Sequence, residues 1–220
     1  MSKKYSTSRE ATNIIFFVAV ALIIIFLSMG THMRNEIWRD EITIWDDVVR
    51  KSPEKDRVHN NLGEAYGRKG WIDKSIEQFQ ITLRINPNFP EAYNNLGIAY
   101  SKKGWLDKAI EQFLIAIELM PSFAEFHKNL GIAYSDRGWL DKAIEQYQIA
   151  IKLHPAHADV YNNLGITFAK MELIDKAIEQ FKAAIQLNPD DPTFQINLAK
   201  AYKMKSSADQ TEGKADSPKR

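Results

Sequence analysis

The chain contains no cysteine, which excludes disulfides, thiolate metal sites and cysteine nucleophiles. It also lacks an excess of either charge, with 29 Lys and Arg against 28 Asp and Glu. A net charge of +1 gives little attraction for a phosphate backbone, so nucleic acid is not an expected partner. Glycine-rich phosphate loops, H-E-x-x-H and G-x-S-x-G motifs are missing too. We therefore expect neither an enzyme nor a bound cofactor.

One segment lacks charge completely, because no Asp, Glu, Lys or Arg lies between Glu10 and Arg34. Its centre, residues 14–29, reads IIFFVAVALIIIFLSM. About 20 apolar residues, rising about 1.5 Å each, cross a hydrocarbon core of about 30 Å. The sequence therefore predicts a single transmembrane anchor helix within residues 1–33. A cleaved signal peptide is the alternative, although residues 28–30 make a poor cleavage site.

Basic residues on the two sides of this segment predict its orientation. Lys3, Lys4 and Arg9 precede it, whereas only Arg34 and Arg39 follow closely. This small excess, together with the amino terminus, favours a cytoplasmic N-terminus. The rest of a single-pass protein would then be extracytoplasmic, and periplasmic if the source is bacterial.

One internal repeat dominates the remainder of the chain. Four segments related to NNLGIAYSKKGWLDKAIEQF begin 34 residues apart, without insertion, at Asn60, Asn94, Lys128 and Asn162. Within each period, small and large side chains recur at spacings of three and four, which places them on one helix face. The period therefore predicts one helical hairpin per 34 residues, stacked on its neighbours.

Proline and glycine recur at fixed places in this period. A proline follows each predicted second helix, where it stops the helix. A glycine lies where the first helix turns into the second in three of the four units. These residues are Pro87, Pro121, Pro155 and Pro189, and Gly70, Gly104 and Gly138.

The pattern resembles the tetratricopeptide repeat family in its period, in Leu96-Gly97-x-x-Tyr100, in Ala109-x-x-x-Phe113-x-x-Ala116 and in the recurring proline. The resemblance implies an all-α, right-handed helical-repeat solenoid, here preceded by the single transmembrane helix. We predict four full units, at 56–89, 90–123, 124–157 and 158–191. A linker helix or incomplete first hairpin is predicted within 34–55, a capping helix at 192–204 and a disordered tail at 205–220.

The resemblance also places the first helices on a concave face that would bind a protein or peptide. One position of this helix is asparagine throughout, and the position before it is polar in the four full repeats. The candidate groove residues are Asn61, Asn95, Asn129, Asn163 and Asn197, together with Asn60, Asn94, Lys128 and Asn162. An asparagine amide both donates and accepts, so it can pair with a peptide backbone of any sequence. The alternative is that asparagine at this position is only family consensus serving helix packing.

Three tryptophans follow the turn glycines at the same 34-residue spacing, at Trp71, Trp105 and Trp139. A row of exposed rings along one edge would be an alternative partner-binding site. Equally, each ring could fold over the neighbouring hairpin and belong to the core.

Together these features predict a membrane-tethered scaffold that binds a protein or peptide for assembly or recruitment at the membrane. His154 and His157 have a spacing that could bind a metal, but carboxylates are missing nearby, so no metal site is predicted. One alternative is an accessory subunit embedded in a larger membrane complex. Another is a non-catalytic relative of polytopic glycosyl-transfer membrane proteins that end in such repeats.

Overall fold

The computed structural model describes residues 20, 22–24, 26 and 40–215. Ten α-helices follow one another within residues 40–215. They are α1 (Glu41–Lys51), α2 (Asp56–Arg68), α3 (Ile72–Ile85), α4 (Pro90–Lys102), α5 (Leu106–Leu119), α6 (Ala124–Arg137), α7 (Leu140–Leu153), α8 (Ala158–Lys170), α9 (Ile174–Leu187) and α10 (Pro192–Ala215).

Most of the predicted anchor lies outside the described residues, as do the charged residues that predict its orientation. Within it, Val20, residues 22–24 and Phe26 are helical and exposed. Among the described residues, no helix has both the length and the apolar character needed to cross a membrane.

The chain divides into two compact units, Met1–Pro53 and Glu54–Arg220. The described part of the first unit contains α1. Two ion pairs at i,i+4 spacing support the C-terminal half of this helix: Arg50 lies 2.7 Å from Asp46, and Lys51 lies 2.6 Å from Asp47.

In the second unit, each of the four predicted 34-residue units contains two helices, and the paired helices pack through a glycine. Gly97 of α4 faces the ring of Phe113 in α5, and an added Cβ would lie 2.6 Å from the Cε1 atom of that ring. Gly131 makes the same approach to Tyr147. Phe113 and Tyr147 are both 1% exposed, so these pairs form the core of the solenoid.

The turn between paired helices requires a left-handed residue. Gly70, Gly104 and Gly138 have φ angles of 78°, 74° and 85°, a region that favours glycine. Glu172 occupies the fourth place with a φ of 62°. The backbone N–H of Trp71 donates to the carbonyl of a residue in α2, Tyr66 (2.9 Å), which satisfies the end of the first helix.

The last helix, α10, buries Phe194 and Ala201 against the final hairpin. It continues to Ala215, so the predicted disordered tail is wrong for residues 205–215, while 216–220 lie outside the described residues. The reason is that no proline follows Pro192 until Pro218, and the intervening Lys, Met, Ala, Gln and Glu residues favour helix.

Candidate partner-binding surfaces

The asparagines of the first helices bond to one another across the junctions between repeats. The amide nitrogen at one position donates to the side-chain oxygen at the preceding position of the previous repeat. These bonds are Asn95 Nδ2 to Asn60 Oδ1 (3.2 Å), Asn129 Nδ2 to Asn94 Oδ1 (2.9 Å) and Asn197 Nδ2 to Asn162 Oδ1 (2.9 Å). The donors therefore have a structural partner, whatever else they bind.

The accepting asparagines are buried. Asn60 and Asn94 are each 6% exposed, and Asn162 is 7% exposed. Among the donors, Asn129 is also buried, whereas Asn95 and Asn197 are half-buried. The accepting position thus faces a helix junction, and the donating position lies nearer the surface of the groove.

Lys128 interrupts this chain of amides at the third junction, because it stands where the other repeats have asparagine. Its ammonium instead pairs with the carboxylate of Glu125, which also lies 3.2 Å from Nε2 of His157, the residue that precedes α8. The half-buried Asn163 consequently has no amide partner at position 128. Within the part of the chain that the structure describes, the side-chain amides of Asn163 and Asn61 make no hydrogen bond.

Two opposing effects act on the pKa of Glu125. Its partial burial raises the pKa, but hydrogen bonds from Lys128 and His157 lower it by more. The net pKa therefore lies below the ordinary value of 4.5. Glu125 is an anion at neutral pH that links α6 to the residue preceding α8.

A polar cluster fills the groove wall at this same junction. Lys170 Nζ donates to Ser135 Oγ (2.9 Å) and to the Ser135 carbonyl (3.3 Å), and Thr167 Oγ1 lies 3.3 Å from Ser135 Oγ. Burial raises the pKa of the nearby Tyr147 hydroxyl well above its usual range. Sequence reasoning missed this cluster, although Thr167 departs from the alanine that the other three repeats carry at its position.

Two cavities open between consecutive first helices at equivalent places, three repeats apart. The first, of about 330 Å³, is lined by Glu64, Arg68, Phe79, Asn95, Ile98 and Lys102 among others. The second, of about 370 Å³, is lined by Ile166, Lys170, Phe181, Asn197, Lys200 and Met204 among others. Each combines an aromatic and aliphatic floor with two cationic side chains, which suits a polar and apolar segment of a ligand.

The tryptophan rings are partly exposed and rest on their own hairpins. Trp71, Trp105 and Trp139 are 49%, 43% and 40% exposed. Each ring centroid lies 5.7–5.8 Å from that of a tyrosine in the first helix of the same repeat. A lysine ammonium lies over each ring, 4.6–4.8 Å from its centroid. Each tryptophan ring is thus half-exposed to solvent and packs against a tyrosine of its own repeat.

The four histidines within residues 40–215 make packing and hydrogen-bond contacts. His59 and His127 are buried, and the Nδ1 atom of each lies 2.8–2.9 Å from a glutamine side-chain oxygen. His154 and His157 meet edge to face at 5.6 Å between ring centroids. Among the described residues, no group of three or more His, Cys, Asp or Glu side chains could hold a metal ion.

Comparison with known families agrees with this geometry. The model described as "Tetratricopeptide repeat" matches residues 90–123 and 158–191, and the model described as "TPR repeat" matches residues 69–104 and 134–172. Together these segments cover slightly more than half of the chain. The chain is a tetratricopeptide repeat protein. The predicted all-α repeat solenoid is confirmed.

Solved structures share this fold. The crystal structure of MamA is similar with a TM-score of 0.61 and 28% identity, covering 67% of this chain and 86% of that one. TTC0263, a thermophilic TPR protein from Thermus thermophilus, gives a TM-score of 0.65 at 21% identity, covering 73% and 88%. YrrB, described as a TPR protein with an unusual peptide-binding site, gives 0.62 at 24% identity, covering 78% and 86%. TTC0263 and YrrB, both under 25% identical, show the fold alone.

One curated relative is a much longer protein. Protein O-mannosyl-transferase Tmtc3 of Drosophila melanogaster is 28% identical over 67 residues, which are 30% of this chain and 7% of that protein. The chain thus matches only a small part of the transferase.

Proposed function

We propose that the chain is a membrane-tethered scaffold that binds a protein or peptide in the groove of its first helices, for assembly or recruitment at the membrane. The observation that carries this proposal is the pair of equivalent cavities, each with an apolar floor and two cations. The apolar floor of each open cavity would receive a ligand side chain, and Lys102 and Lys200 would pair with an acidic or carbonyl group beside it, since Arg68 and Lys170 are already paired with Glu64 and Asp136.

The amides divide into two groups in this proposal. Asn95 donates to both Asn60 and Glu64 of the preceding repeat, so it offers a ligand mainly its oxygen. Asn129 and Asn197 each donate to one asparagine, so each keeps a second N–H as well as its oxygen for a ligand. Asn61 and Asn163 keep both amide atoms for a ligand backbone. The buried Asn60, Asn94 and Asn162 support the groove from behind, and Lys128 replaces them at the third junction.

A peptide array on full-length protein tests the groove. Replacing Asn61 and Asn163 together by Ala removes hydrogen bonds worth roughly 0.5–1.5 kcal/mol each, so affinity should fall about 5- to 150-fold. Gln148→Ala, an exposed change on α7, is the matched control and should leave affinity unchanged. Equal affinities for the double variant and the control would contradict binding of a ligand backbone by these two amides.

The tether is proposed from the uncharged segment between Glu10 and Arg34. Full-length protein should resist carbonate extraction and keep its original N-terminus, with the N-terminus in the cytoplasm. Recovery of a mature chain that begins near Thr31 would instead identify a cleaved signal peptide.

A second candidate is a non-catalytic relative of glycosyl-transfer membrane proteins. The identity with a protein O-mannosyl-transferase favours it, although only over 67 residues. Stable co-purification with a polytopic glycosyl-transfer protein from native membranes would support this candidate, whereas purification without one would favour an independent scaffold.

A further inference from the structure

The antiparallel hairpins place two kinds of turn at opposite edges of the solenoid. The turns within hairpins form what we term the tryptophan edge, residues 68–74, 102–108, 136–142 and 170–176. The turns between hairpins form the proline edge, residues 84–91, 118–125, 152–159 and 186–193.

Charge separates these edges by sign. The tryptophan edge carries ten Lys and Arg against six Asp and Glu, a net charge of +4 that lies in residues 68–74 and 102–108, and three of its cations, Arg68, Lys102 and Lys170, also line the groove cavities. The proline edge carries two Lys and Arg against six Asp and Glu, a net charge of −4. The near-neutral total of +1 conceals this separation. An anionic surface is therefore attracted to one edge and repelled by the other.

The tryptophan edge combines this positive charge with partly exposed tryptophan rings. Lys74, Lys108 and Lys142 each place an ammonium over the ring of their own turn. At a membrane interface, an indole ring lies at headgroup level while a lysine reaches toward phosphate. The proline edge also exposes apolar side chains, such as Leu119 (40%) and Phe123 (44%), but without an excess of cations.

We propose that the tryptophan edge docks on an anionic phospholipid surface, with Trp71, Trp105 and Trp139 among the headgroups and their lysines on phosphates. An acidic protein would have to supply a fitted pocket for each ring, about 10 Å apart. A lipid interface accepts rings at any spacing. The inference rests on the proposed function only for the tether, which would hold this edge near lipid at a high effective concentration.

Bromolipid quenching in nanodiscs tests the docking on full-length protein. Trp38→Phe and Trp45→Phe leave only the three edge tryptophans fluorescent. The discs contain brominated phosphatidylcholine, either alone or mixed with brominated phosphatidylglycerol, and matched unbrominated discs give the reference intensity. We expect quenching in the anionic discs, little in the neutral discs, and reversal at high salt because screening weakens exposed charge attraction.

Replacing Lys74, Lys108 and Lys142 by Gln should lower the equilibrium constant for docking by on the order of 100-fold in total, because each lysine contributes a factor of at most about ten. Quenching in the anionic discs should therefore disappear. Arg84→Gln with Lys152→Gln removes the two cations of the proline edge and should leave quenching unchanged. Circular dichroism checks that both variants keep their helicity.

Other outcomes overturn the proposal. Equal quenching in both lipids, or none in anionic discs, excludes docking through charge. Unquenched rings in a protein whose lysine variant loses a captured protein would assign the edge to an acidic protein instead. Carbonate extraction of the same protein separates the two proposals. Protein that resists extraction but has unquenched rings would support the membrane tether and contradict docking of the edge. Protein that is extracted but has quenched rings would support docking of the edge and contradict the tether.

Discussion

Glu172 holds the left-handed turn conformation that glycine provides in the other three repeats, with a φ of 62°. A non-glycine side chain at this φ destabilises the folded state by roughly 1–2 kcal/mol. Glycine removes this strain, but part of the gain is lost because glycine also gives the unfolded chain more conformational entropy. Glu172→Gly should therefore raise the free energy of unfolding by about 0.5–1 kcal/mol, measured by urea titration. Gly138→Ala, at a φ of 85°, is the opposite control and should destabilise. A destabilised Glu172→Gly protein would mean that this side chain has an essential contact.

Glu125 makes the contact between α6 and the turn that precedes α8 sensitive to acid. Its pKa lies below the ordinary value of 4.5 because of Lys128 and His157. A lowered pKa means that the contribution to stability is complete above the unfolded pKa and is lost as pH falls through the folded one. Wild type should thus exceed Glu125→Gln in melting temperature at pH 6, and this difference should shrink below pH 4.5. A difference that stays constant down to pH 3 would show that the carboxylate contributes nothing through ionisation.

At the scale of helices, two asparagines at the same repeat position should behave differently. Asn129→Ala leaves the buried Asn94 without its donor, which costs about 1–3 kcal/mol of stability. Asn163→Ala breaks no amide link and should change stability by less than about 0.5 kcal/mol. Chemical denaturation of both variants gives the comparison.

A double-mutant cycle on Asn94 and Asn129 isolates their bond, because removing both partners together should cost less than the sum of the single changes. Additive costs would show that the two amides do not stabilise each other. Equal losses for Asn129→Ala and Asn163→Ala would also contradict the difference between the two junctions.

The helical hairpins were predictable because a glycine in each first helix packs against an aromatic ring in the second, as Gly97 does against Phe113, and these two residues recur at a fixed spacing in the sequence. The amide links between repeats were not predictable, since they depend on the register of one first helix against the next. The low apolar content of residues 205–215 predicts disorder, whereas the helix propensity of these residues favours the observed continuation of α10. The turn at Glu172 could have been identified, since the missing glycine was visible in the sequence.

At the scale of the whole chain, the function follows from how repeats divide their surfaces. The first helices at the two ends of the array form the cavities, the first two hairpin turns supply the net positive charge of the tryptophan edge, and the turns at 118–125 and 186–193 supply the net negative charge of the proline edge. Because repeats contact mainly their neighbours, substitutions in one repeat should leave distant junctions intact. The groove and the tryptophan edge share Arg68, Lys102 and Lys170, but the variants of the two proposed experiments replace none of these residues, so each surface is tested separately.

The end of the solenoid gives the last prediction, which concerns α10. Truncation after Asp191 removes the buried Phe194 and Ala201 and uncovers Phe181 of the last hairpin. Burial of one such aromatic ring contributes roughly 1.5–3 kcal/mol, so this protein should melt at lower temperature and self-associate. Truncation after Met204 is the matched control. It removes an exposed ion pair between Lys205 and Asp175 (2.5 Å), worth at most about 1 kcal/mol, and should stay close to full length in melting temperature. Light scattering and thermal denaturation measure both effects. If the Asp191 truncation remained monomeric and equally stable, α10 would not be a cap, and the repeat array would end at its fourth hairpin.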